Sequence, residues 1–167
     1  EMCITDSYGW GWNFDKQYVT CCNLNGPMGL AYLPYVAVMK DCKGPVVNLY
    51  NAATADTSTP NGKKLHLDIT GDFPKTGEVV IRVTPQKKEK FDIKLRIPSW
   101  SKNTVLKING KEMPAEPGEY AVVTRHWKPG DIIELSLDMT CRLIDAPLGS
   151  NRAGDKFQAL LRGPIAV

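Results

Sequence analysis

From Val46 onward, apolar and polar residues alternate with a period of two, the spacing at which successive side chains leave opposite faces of a β-strand. Leu65, Leu67 and Ile69 form one run, and Val79, Ile81 and Val83 a second. Phe91, Ile93, Leu95 and Ile97 form a third, and Ile133, Leu135 and Leu137 a later one. Each predicts a strand with one buried face. Between the runs stand Pro60-Asn61-Gly62, Pro74-Lys75-Thr76-Gly77, Asn109-Gly110, Pro117-Gly118 and Pro129-Gly130. Turn-formers at such regular spacing are the pattern of a β-sandwich, here expected to be jelly-roll-like. Asn109-Gly110, following Val105-Leu106-Lys107-Ile108, is the strongest hairpin signal, because both residues tolerate the positive φ of a type I′ turn. No repeat of solenoid or propeller type interrupts the series.

Before residue 44 the pattern is different. Most of the thiols lie there, with Trp10, Trp12 and a single helical stretch. Pro27-Met28-Gly29-Leu30-Ala31-Tyr32-Leu33 predicts a short helix, capped by Asn25 and carrying Pro27 where a missing N–H costs least. Pro34 is expected to kink or end it. Gly9-Trp10-Gly11-Trp12-Asn13 has no period and predicts a loop. The chain therefore divides into residues 1–44 and a sandwich over 45–167.

Composition narrows the class. The 167 residues are 43% hydrophobic and 23% charged, ordinary for one folded domain able to bury a sizeable core. No apolar run approaches the roughly 18 residues that cross a bilayer, and no export signal opens the chain. It begins at Glu1 rather than Met and reads as a piece of a longer protein. The 21 basic and 18 acidic residues are scattered, which argues against nucleic acid. Lys87-Lys88-Glu89-Lys90 is the one local basic cluster and reads as a solvated hairpin tip.

Five cysteines is an odd number, and Cys21 and Cys22 are adjacent, a geometry that strains the peptide between bridged residues. A disulfide framework explains the set poorly. Glu1, Cys3, Cys21 and Cys22 together offer a carboxylate and three thiols, a donor set that suits zinc. The spacing is not that of a zinc knuckle, since a Glu-x-Cys pair and a vicinal pair stand seventeen residues apart. His66 falls on the polar side of its strand, and neither it nor His126 has a second histidine at ligand spacing. Cys42 and Cys141 stand alone and are expected to be small buried hydrophobes. Trp100 and Trp127 are candidates for sugar stacking but close strand-rich segments, so packing is the expected role. Asp131 follows a Pro-Gly turn and is expected to accept from backbone donors there.

Several ordered segments carry a resemblance. Glu1-Met2-Cys3 comes first, then Cys21-Cys22-Asn23-Leu24-Asn25-Gly26-Pro27 and Val47-Asn48-Leu49-Tyr50. Leu95-Arg96-Ile97-Pro98-Ser99-Trp100-Ser101 and Ile108-Asn109-Gly110 follow, then Arg125-His126-Trp127-Lys128-Pro129-Gly130-Asp131 and Leu161-Arg162-Gly163-Pro164. In this order they resemble the β-L-arabinofuranosidase family of glycoside hydrolases, through nearly the whole chain.

The resemblance implies a zinc-dependent retaining glycosidase with a cysteine nucleophile. Carried over, Cys21 is the nucleophile, and Glu1, Cys3, Cys21 and Cys22 are the zinc ligands. An ordinary thiol is only a few per cent thiolate at pH 7, a deficit of roughly 2 kcal/mol that a bound zinc ion offsets. Family members place the active site in a helical (α/α) barrel followed by β-sandwich domains. Residues 1–44 then read as a remnant of the barrel, and the fold class as mainly β.

Two departures follow from the same resemblance. The family separates Glu-x-Cys from the vicinal pair by many tens of residues, here seventeen. Its general acid/base, a glutamate upstream of Glu-x-Cys, falls outside these 167 residues, which forfeits a factor of about 10² to 10⁴ in rate. The isolated chain is thus expected to be inactive, or nearly so, on arabinose-containing oligosaccharides. The apolar side chains of its first part are expected to pack on the sandwich or to promote self-association. Two other function classes compete: a non-catalytic sandwich module for domain packing or sugar binding, and a small zinc or redox protein.

Overall fold

The computed structural model describes residues 21–145 and 158–167, with side chains from residue 25 onward in the first of these stretches. The chain divides between Ala37 and Val38 into two compact units.

Of the first unit, helix α1 is described. It runs over Cys21–Ala37, 17 residues with Pro27 and Pro34 both inside it. The helix thus starts earlier and ends later than the turn signals predict. A proline loses its own N–H bond to the carbonyl four residues before and crowds that carbonyl, a local cost, and at Pro27 the preceding Gly26 has no Cβ to add a clash with the ring. No charged residue occurs in α1, and Met28, Leu30, Tyr32, Leu33 and Tyr35 are exposed along it. A helix apolar on every side has the composition of one enclosed within a larger body.

The second unit is β throughout. A four-stranded sheet has the order β1-β2-β6-β9, formed by Val38–Asp41, Gly44–Val47, Glu89–Arg96 and Tyr120–Trp127. A six-stranded sheet has the order β3-β4-β5-β10-β7-β8. Its strands are Ala53–Ser58, Lys64–Gly71, Glu78–Pro85, Asp131–Ser136, Val105–Ile108 and Lys111–Met113. A third sheet joins β11, β12 and β13, which are Cys141–Asp145, Gln158–Arg162 and Ile165–Ala166. Neighbouring strands are antiparallel except β2 and β6, which run parallel with Val46 opposite Lys94.

One core joins the two larger sheets. The first contributes Val47, Phe91, Ile93, Leu95, Val123 and Trp127. The second contributes the inward residues of β4, β5, β7 and β10, including Leu67, Ile81, Leu106 and Ile133, all fully buried. The alternation in sequence is the alternation in space, and the architecture is a β-sandwich.

The predicted turns also hold. Asn109 and Gly110 have φ of 51° and 78°, so β7 and β8 form the expected hairpin. Lys87-Lys88 corrects its expectation: β5 and β6 lie in different sheets, so these residues turn a corner between sheets rather than cap a hairpin.

Gly44 shows how tightly β2 is seated. Its φ is +148°, and a Cβ there would overlap the Asp92 carbonyl oxygen and touch the Phe91 ring. Just before it, Asp41 Oδ1 accepts from the Lys43 and Gly44 amides at 2.8 and 3.0 Å. The opposite carboxylate oxygen meets Lys94. That hydrogen bond, with the Lys43 amide, holds the Asp41 carboxyl below its ordinary range. Gly44→Ala is therefore expected to cost about 3 kcal/mol. Gly62→Ala, at φ +76° but in open space, is expected to cost about 1 kcal/mol. Paired urea titrations measure the difference.

Candidate functional site

The sequence places its chemistry at the N-terminal end. Glu1 and Cys3 lie outside the described residues. Cys21 and Cys22 begin α1, with only their backbone described. The first turn of a helix leaves its N–H groups unpaired and carries the positive end of the dipole, which favours negative charge nearby. No acidic residue lies in the first turn of α1. The donor types that the sequence offers here, one carboxylate and three thiols, suit a borderline-soft divalent ion. Among the described residues no group of three His, Cys, Asp or Glu side chains is gathered.

The remaining candidates fall apart spatially. Cys42 and Cys141 are both exposed rather than buried, Cys42 in the β1–β2 turn and Cys141 at the first position of β11. A turn apex and a strand outside the shared core give a thiol no apolar pocket, which corrects the expectation. His66 sits on the outer face of β4 with Nδ1 2.7 Å from Asp56 Oδ1, and His126 is exposed. Trp127 is 0% exposed and donates from Nε1 to the Phe91 carbonyl at 3.1 Å. It has no face to offer a sugar. Trp100 is half-buried against the core, with the Arg142 guanidinium 5.7 Å from its ring centre.

The structure does reveal two buried carboxylates. Asp131 is 1% exposed. Its Oδ1 accepts from Asn109 Nδ2 at 2.9 Å and its Oδ2 from the Lys128 amide at 3.0 Å, with Arg125 at 3.8 Å. Asn109 Oδ1 accepts in turn from the Ile132 amide at 2.8 Å. Burial pushes the Asp131 carboxyl upward, but the Asn109 and Lys128 hydrogen bonds and the two cations outweigh it and hold the group below its ordinary range. The expectation that Asp131 satisfies backbone donors is met, and the side chain also ties the β7–β8 hairpin to the β9–β10 turn.

Glu89 was not singled out by its sequence. It opens β6 facing inward, accepts from Asn61 Nδ2 at 2.7 Å and pairs with Lys63 at 3.4 Å. Burial raises its carboxyl too, yet Thr59, Asn61 and Lys63 pull it below the usual range. Glu89 thereby fastens the β3–β4 turn of one sheet to the first residue of β6 in the other. Each carboxylate is buried and engaged with donors inside the sandwich. Both are structural clamps.

A family model described as "Beta-L-arabinofuranosidase, GH127 middle domain" matches residues 45–139, more than half of the chain. The chain belongs to the GH127 β-L-arabinofuranosidase family. The match spans β2 to β10, which is all of the two sheets that share the core except β1, and leaves out α1, β1 and the third sheet.

Solved structures agree. A GH127 β-L-arabinofuranosidase from Geobacillus stearothermophilus T6 is similar at 28% identity and TM-score 0.77, over 87% of this chain and 23% of its own. A protein described as a glycoside hydrolase is similar at 29% identity and TM-score 0.76, over 93% of this chain and 28% of its own. A GH127 β-arabinofuranosidase is similar at 26% identity and TM-score 0.76, over 87% of this chain and 25% of its own. The chain thus spans about a quarter of the length of these relatives. No curated protein sequence matches it. The GH127 middle domain therefore accounts for β2 to β10, while Glu1, Cys3, Cys21 and Cys22 lie before the matched segment.

Proposed function

We propose that the chain is part of a zinc-dependent retaining glycosidase that releases L-arabinose from β-L-arabinofuranosides of plant glycans. The observation that carries this reading is the GH127 middle-domain match over residues 45–139. The sandwich is the scaffold, and the reacting groups lie with the residues around the start of α1.

Glu1, Cys3, Cys21 and Cys22 would hold the metal, which supplies a thiolate at neutral pH without a general base. Cys21 sulfur forms a bond to the anomeric carbon as the glycosidic C–O bond breaks. The leaving oxygen takes its proton from a carboxylic acid beyond these 167 residues. Water then displaces the sulfur as thiolate and gives its proton to the carboxylate left by that acid, and double displacement retains the anomeric configuration. Cys22, Cys3 and Glu1 do not meet the sugar in this scheme. They fix the position and charge of Cys21.

The same scheme makes the 167 residues insufficient alone. A sugar leaving group departs poorly without a proton, and about a quarter of the relatives' length cannot supply their whole substrate pocket. With zinc supplied, the chain is expected to release no L-arabinose above background from a β-L-arabinofuranosyl disaccharide. Release that disappears in Cys21→Ser would contradict this.

A further inference from the structure

One end of the sandwich concentrates positive charge. Four connections meet there: residues 59–64, 86–90, 109–111 and 128–131. Hydrogen bonds bring them together, from the Gln86 amide to the Lys64 carbonyl at 2.8 Å, from Gly130 to Val83 at 3.1 Å and from Asn109 to Ile132 at 2.9 Å. Glu89 and Lys90 lie opposite Trp127 and His126. These connections hold seven lysines and two carboxylates, a formal +5 in a chain whose total is +3, so the other residues sum to −2.

The two carboxylates are Glu89 and Asp131, both buried and already paired with Lys63 and Arg125. Lys64, Lys87, Lys88, Lys90, Lys111 and Lys128 are exposed, and among the described residues none has an ion-pair partner. The clamps that hold the corners thus also engage the two acidic groups within these connections. Uncompensated charge of one sign on a small surface attracts polyanions over about a Debye length.

We propose that this pole binds an acidic polysaccharide, a polyuronate whose carboxylates recur along a glycan chain. Two features favour a glycan over a nucleic acid. The four connections contain no aromatic residue, and the neighbouring Phe91 and Trp127 are buried, so among the described residues these connections offer no Phe, Tyr or Trp face for base stacking. They also contain no arginine, the side chain suited to bidentate phosphate contacts. Lysines act as separate point charges and suit carboxylates spaced along a flexible chain. The choice of a glycan rests on the reading of the parent as a glycosidase, which such a pole would hold on an acidic wall polymer.

Retention on immobilised polygalacturonate tests this with the purified 167-residue chain and needs neither zinc nor turnover, so loss of activity and loss of binding are separate results. Retention is expected near 0.01 M salt, where the Debye length is about 30 Å, and release toward 1 M, where it is about 3 Å. The combined variant Lys87→Gln, Lys88→Gln, Lys90→Gln and Lys128→Gln is expected to bind about tenfold more weakly at low salt. Lys75→Gln with Lys102→Gln, away from these connections, is expected to bind as the parent does. Equal unfolding midpoints establish that the variants fold. Absence of retention at low salt, equal retention by the fourfold variant, or retention on duplex DNA matching that on polygalacturonate would each overturn the proposal.

Discussion

Trp127→Ala is expected to lower the stability of the sandwich by about 4 kcal/mol, a large share of the 5–15 kcal/mol typical of a domain. The indole closes β9 at the point where the first sheet turns toward the second, and it is 0% exposed. Its ring lies 6.2 Å from Phe91, centre to centre, and the Arg125 guanidinium sits 5.3 Å above it. Truncation leaves a cavity between these groups and deprives the Phe91 carbonyl of the indole donor. Trp127→Phe keeps most of the volume and loses the hydrogen bond, so about 2 kcal/mol is expected. Equilibrium urea unfolding reads both. A loss below about 1 kcal/mol for the alanine variant would mean that the ring is not packed as described.

Asp131→Ala ranks next, at about 3 kcal/mol, because removing one partner of a buried pair strands the others. Asn109 Nδ2 and the Lys128 amide lose their acceptor, while Arg125, about a third exposed, can turn to water. The pH dependence has a definite sign. The folded-state pKa of Asp131 is lowered, so its contribution is complete above the unfolded value near 4 and is lost as pH falls through the folded one. Glu89, Asp41 and Asp138 are shifted in the same direction and add to the acid lability. Thermal midpoints of the parent and Asp131→Asn are expected to differ most at pH 7 and to converge toward pH 3. A constant gap would assign the effect to shape rather than charge.

Much of the sandwich is legible because one rule governs it: residues two apart share a face. Glu89 shares its phase with Phe91, Ile93 and Leu95, and Asp131 with Ile133 and Leu135. Their inward direction is therefore written in the alternation, but a carboxylate inside a basic run reads as solvated until its partners are known. Those partners, Asn61 with Lys63 and Asn109 with Arg125, come from other strands, and no local pattern announces them. The corner at Lys87-Lys88 was hidden for a related reason, since hairpins and sheet-to-sheet corners share the same exposed, charged connections. Helix α1 ran past both prolines because a proline forbids one hydrogen bond and not the whole helix. Cys42 and Cys141 depart from the usual burial of thiols because one lies in the β1–β2 turn and the other in a strand outside the shared core. The metal set is the opposite case, since its residue types and order suggest it and no periodicity bears on it.

The central claim, that the chemistry of this GH127 chain lies in its N-terminal thiols while the sandwich supports them, is tested most directly by the zinc content of the purified, reduced chain. Cys21→Ser, Cys22→Ser, Cys42→Ser and Cys141→Ser supply the comparison. About one zinc per chain is expected in the parent and in the Cys42 and Cys141 variants, with loss in Cys21→Ser and Cys22→Ser, because serine hydroxyls do not replace thiolate ligands at neutral pH. No zinc in the parent, or an unchanged content in all four variants, would contradict the account.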